Sequence, residues 1–127
     1  MKDAEKRGGE AGMVTAETAV VLPIITAFAL VLLWLISAGI TEIRLVDAAR
    51  DAARSLSRGE DESAVRAQLA ATGPPGSQLV VLRAGGDVTA EASVSAEAPG
   101  WLLVPLPAIP LHASATTQAE LGVDGGR

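Results

Sequence analysis

The stretch "GEAGMVTAETAVVLPIITAFALVLLWLISAGITE", residues 9–42, decides the fold. It opens on small and charged residues and then turns almost wholly apolar. Between Glu17 and Glu42 no side chain carries a charge, which leaves 24 residues from Thr18 to Thr41. A helix of about 20 apolar residues crosses the hydrocarbon of a bilayer. The run therefore predicts one transmembrane helix, assigned to 13–41. Pro23, Thr26 and Ser37 are tolerable inside such a helix, and Pro23 is the expected place of a kink.

Three uses of such a helix compete: a plain anchor, a cleaved secretory signal and a pilin-type signal. A secretory signal wants a basic start, an apolar stretch of about 7–15 residues and a small-x-small cleavage site. Lys2, Lys6 and Arg7 offer the first and Ser37-Ala38-Gly39 the last, but the apolar run is long and Asp3, Glu5 and Glu10 dilute the basic end. The Lys and Arg count does not choose an orientation, because Arg44, Arg50, Arg54 and Arg58 on the far side balance the amino end.

Outside the apolar run the chain holds little that does chemistry. Of 127 residues none is cysteine and one, His112, is histidine. Metal clusters and nucleophile–base pairs lack their parts, so no cofactor and no enzymatic activity are expected. The net charge of −5 and the absence of a basic patch argue against nucleic acid as a partner.

The residues after the apolar run read as helix. "TEIRLVDAARDAARSLSRG", residues 41–59, has no proline and no glycine before Gly59. Ile43, Val46, Ala49, Ala53 and Leu56 recur every three or four residues, which predicts one apolar stripe facing a partner. Ala48 with Ala52, and Ala49 with Ala53, are small enough to permit close helix packing. Glu60-Asp61-Glu62-Ser63 opens a short second helix running to about Ala71, and Gly73-Pro74-Pro75-Gly76 ends it. Residues 42–72 thus form a helical extension plus a second helix.

Residues 73–121 read as a small β domain. "QLVVLRA", Gln78 to Ala84, is an apolar strand, and Gly85-Gly86-Asp87 is a turn. Val88, Ala90, Ala92, Val94 and Ala96 then alternate with Thr89, Glu91, Ser93, Ser95 and Glu97. Pro99 to Pro110 holds four prolines and Trp101, which predicts an extended crossing loop. Leu111 to Leu121 alternates again, with His112 on the polar side. The predicted fold is α+β: a long amino-terminal transmembrane and stalk helix, a short second helix and an antiparallel sheet of about three strands. A disordered tail is expected over 122–127.

Glu17 remains to be explained. A carboxylate in the first turn of a helix is favoured by the helix dipole, which is one reading of it. The other takes Gly12, Met13 and Glu17 together. A short hydrophilic leader, residues 1–12, ends in glycine, and a glutamate follows as the fifth residue after it. This resembles the signal of type IV pilins read by a prepilin peptidase. In organisation, with Pro23 inside the apolar run and an Ala/Arg-rich helix beyond it, the chain resembles TadE-like proteins, minor pilins or pseudopilins of the Tad (Flp) pilus system. The specific residues lie between Gly12 and Arg58. Met13 stands where many type IV pilins have phenylalanine.

The resemblance implies cleavage between Gly12 and Met13. It implies that Glu17 sets subunit assembly by pairing with the Met13 amine of a neighbour. It also implies the prepilin peptidase, other pilins or pilus-assembly proteins and the lipid bilayer as partners. The chain would then cross the cytoplasmic membrane once, with its carboxyl domain outside the cytoplasm. The alternative is a secreted or membrane-anchored small β domain that binds an envelope partner without joining a filament.

Overall fold

The computed structural model describes residues 2–102 and 105–119, with side chains from Gly8 onward. The tail expected at 122–127 lies outside the described residues. Helix α1 runs unbroken from Lys2 to Ser57, 56 residues, or about 84 Å at 1.5 Å per residue. Pro23 sits inside it. Proline has no N–H for the Ala19 carbonyl, yet the helix continues on both sides.

At its far end α1 is closed by backbone geometry. Gly59 takes φ +85°, its N–H donates to the Leu56 carbonyl at 3.1 Å, and the Glu60 N–H donates to the Ser55 carbonyl at 3.1 Å. These two bonds satisfy carbonyls that a helix end otherwise leaves open, and they need a left-handed residue that glycine supplies without strain. The chain reverses there into α2, Glu62–Thr72, whose Val65 and Leu69 are buried.

Three strands follow: β1, Gln78–Ala84; β2, Asp87–Ala96; β3, Ile109–Gln118. They pair antiparallel in the order β1-β2-β3. The β1–β2 turn is Gly85-Gly86 with φ +60° and +87°, the two positive angles that match a tight hairpin to the twist of its strands. Val88, Ala90, Ala92 and Val94 of β2, with Leu111 and Ala113 of β3, are buried beneath the sheet, as the alternation predicts. His112 is exposed on the other face.

The sheet packs on one face of α1, and the core divides in two along that helix. Toward the closed end, Ala52, Ala53 and Leu56 meet Val65 and Leu69 of α2 and Leu79, Val88 and Ala90 of the sheet. Further back, Leu45 and Ala49 meet Ala92, Val94, Leu111 and Ala113.

The stripe that does this keeps Ala49, Ala53, Leu56 and partly buried Val46 from the predicted one and departs from it at Ile43. Trp34, Ala38, Leu45, Ala49, Ala52, Ala53 and Leu56 are buried, whereas Ile43 is 64% exposed. At 100° per residue Leu45 points with Ala49, Ala52 and Leu56, and Ile43 points to the opposite side. The buried face mixes small Ala38, Ala49, Ala52 and Ala53, which let the layers approach, with Trp34, Leu45 and Leu56, which fill the space between them.

Candidate functional site

Gly12 and Met13 are neighbours on one turn of α1 and Glu17 lies about one turn further on; all three are exposed. A regular helix holds the Gly12–Met13 peptide bond. Gly8, Gly9 and Gly12 each lower the stability of an exposed helix by about 1 kcal/mol relative to alanine, so this end of α1 is the segment that unwinds most readily. Glu17 borders a shallow groove with Thr18, Val21, Leu22 and Ile25. Among the described residues no cation pairs with its carboxylate.

From Glu17 to Leu33 the helix carries its apolar side chains into the open. Val20, Leu22, Ile24, Ile25 and Phe28 are all exposed. The most apolar 18-residue window of α1 has mean hydropathy 2.8 and is only 6% buried. A core helix of a water-soluble domain would be covered; this one is not.

The alanines singled out for packing sit elsewhere, under the sheet. Ala49 and Ala53 are fully buried and Ala52 nearly so. Ala48 flanks the same core and lines, with Ala52, Val65 and Leu69, the seam between α1 and α2. Their contacts are to the chain's own second helix and sheet.

Two features were not legible in the sequence. The Trp34 indole N–H donates to the Glu97 carbonyl at 3.2 Å, across 63 residues of chain. Beyond Glu97 the β2–β3 loop descends along α1, where Trp101 and buried Leu102 line an apolar groove of about 440 Å³ with Leu22, Pro23, Ala27 and Leu30. Only the apolar composition of the loop hinted at this.

On the open sheet face His112 borders a shallow hollow with Gln78, Ser93 and Glu97. Among the described residues no three His, Asp or Glu side chains come together as metal ligands. Near α2, the guanidinium of Arg58 reaches Glu60 at 2.7 Å and holds its carboxyl below the usual range. Asp61 is lowered likewise, chiefly by the Ser63 hydroxyl that donates to it.

One exposed apolar helix long enough to span a membrane carries a small α+β head on its distal half, the arrangement of a membrane-anchored domain. Residues 12–54 match the family model of TadE-like proteins. That segment of the chain is similar to TadE-like proteins, and with its apolar helix it fits a component of a Tad-type pilus. No curated protein and no solved structure matches the chain.

Proposed function

We propose that the chain is a minor pilin or pseudopilin of a Tad/Flp-type pilus or related secretion apparatus. In this reading it is made as a precursor and cut by a prepilin peptidase between Gly12 and Met13. The observation that carries the reading is the TadE-like match, which begins at Gly12 and covers Glu17 and the apolar helix. The amino end lies in the cytoplasm, and the head domain stands outside the cytoplasmic membrane.

The geometry supports an assembly role for Glu17. A carboxylate at the edge of hydrocarbon is unfavourable unless it is paired, and here it is exposed at the base of an unshielded helix face. Cleavage frees an ammonium group on Met13, one helical turn away on the same chain and equally placed on a neighbour. Pairing Glu17 with a neighbour's amine removes both charges from lipid and sets the axial register of two helices. The chain is then a substrate of the peptidase and does no catalysis of its own.

Intact mass of the membrane-extracted protein tests the cut. The expected mass lacks Met1 to Gly12, and Gly12→Leu restores the full length. A chain that stays uncut, or is cut after Gly39, contradicts the reading. Glu17→Ala is expected to leave membrane insertion intact and to lower incorporation into the filament. Unchanged incorporation would remove the role given to Glu17.

A further inference from the structure

We propose that the β2–β3 loop is a second membrane-inserting element, which places Trp101 and Leu102 among lipid acyl chains beside the transmembrane helix. The inference rests on α1 crossing a bilayer. It is independent of cleavage and of filament assembly.

The composition of the loop is the first support. From Ala98 to Leu111 there is no charged, hydroxyl or amide side chain, in a connection between two strands. Loops that face water are polar, because water must solvate their backbone and side chains. Position is the second. Trp101 and Leu102 of the loop lie against Leu22, Pro23, Ala27 and Leu30 of α1, the stretch whose other faces are unshielded.

The level of the membrane surface follows from Trp34 and Glu97. Glu97 is exposed, and its carbonyl accepts the Trp34 indole N–H. A carboxylate belongs in the headgroup region, and an indole that hydrogen-bonds a polar group belongs at the same boundary. Twenty residues back from Trp34 lies Val14, about 30 Å along the helix, which is the thickness of the hydrocarbon. Glu17 then falls just inside the opposite boundary. Leu30 lies four residues inside Trp34, about 6 Å below the surface, so a loop tip that reaches Leu30 is in the acyl-chain layer.

Irregular backbone in lipid is unfavourable because its N–H groups lack partners. The loop reduces that penalty chemically. Pro99, Pro105 and Pro107 carry no N–H, and the Leu102 N–H is satisfied by the Pro99 carbonyl at 2.9 Å. Leu102 turns onto the helix, while Trp101 stays 59% exposed. Its exposed surface is continuous with that of the helix, so the lipid that covers one covers the other.

The chain has two tryptophans and no tyrosine, which makes the test direct. Trp34→Phe leaves Trp101 as the sole emitter in vesicles of phosphatidylcholine and phosphatidylglycerol, with and without bromine on the acyl chains. Trp101 is expected to emit at blue-shifted wavelengths, lose most of its intensity to brominated chains and resist aqueous acrylamide at every protein-to-lipid ratio. Emission typical of water-exposed indole, quenched by acrylamide and indifferent to bromine, overturns the proposal. Acrylamide protection that appears only at high protein-to-lipid ratio, without bromine quenching, assigns the surface to a second copy and also overturns it. Subtracting the spectrum of Trp101→Phe from that of the unmodified chain gives the same readout should Trp34→Phe disturb the fold. Resistance to alkaline extraction reports the helix separately: a chain that resists extraction while Trp101 stays wet fails this proposal alone, and a chain that is extracted fails the membrane reading with it.

Discussion

The two halves of α1 share one backbone, yet they differ in charge and meet opposite surroundings. From Glu17 to Leu33 almost every side chain is exposed, whereas from Trp34 to Ser57 one face is sealed under the sheet and α2. The covered half is stabilised by its own chain. The uncovered half has nothing in the chain to bury against, so its apolar surface is stable only in lipid or against other helices. Burial in the covered half combines alanines with Trp34, Leu45 and Leu56, while Ile40 and Ile43 remain on the open side. The contrast shows that charge and burial together separate the stalk from the anchor: the stalk carries Glu42, Arg44, Asp47, Arg50, Asp51 and Arg54 on its open faces and seals the remaining face under its own head.

That contrast can be broken most strongly at Leu45, which is fully buried. Leu45→Ala is expected to lower head-domain stability by about 2–5 kcal/mol, measured by denaturant unfolding in detergent. The same change at exposed Leu33 is expected to shift that transition by less than about 0.5 kcal/mol. Equal effects at the two leucines would erase the distinction between the halves. Next in size is Gly86→Val in the hairpin turn, where φ +87° imposes about 1–2 kcal/mol on a side chain with a Cβ. Trp34→Phe, at the junction of the halves, removes the bond to the Glu97 carbonyl and should cost about 0.5–1.5 kcal/mol.

The smallest effects lie on the surface of the covered half. Glu60 and Asp61 have lowered pKa values in the folded chain. Their contribution is therefore present above the ordinary carboxylate range and is lost as pH falls through the folded values. Arg58→Gln should flatten the acid limb of a stability-versus-pH curve, since the arginine is the chief cause at Glu60. The Asp47–Arg50 pair, at 3.7 Å and exposed, is worth about 0.3 kcal/mol and should fade in high salt.

Much of this was legible in the sequence because local chemistry set it. The alternation of Val88, Ala90, Ala92 and Val94 marked the buried face, and Gly85-Gly86 marked the turn. On the α1 stripe Ala49, Ala53 and Leu56 were legible, but Ile43 was misplaced because it is more apolar than Ala49 or Ala52, and hydrophobicity dominates any reading of period. Trp34 and Ala38 were hidden for a related reason: in a run where every residue is apolar, no period stands out. The Trp34–Glu97 contact joins residues far apart in the chain, so nothing local announces it. The role of Gly12, Met13 and Glu17 was readable only through resemblance, because their partner is a second molecule.

The most direct measurement compares two isoleucines that are alike in the isolated chain. Ile25 is 58% exposed and Ile43 is 64% exposed, on opposite sides of the proposed membrane surface. The chain has no cysteine of its own, so Ile25→Cys and Ile43→Cys each carry a single thiol. With the protein in vesicles that leave the head domain facing the bulk solution, a membrane-impermeant maleimide is expected to label the thiol at 43 rapidly. The thiol at 25 is expected to stay unlabelled until detergent dissolves the lipid. Equal labelling of the two in intact vesicles would contradict the division of the helix on which the account rests.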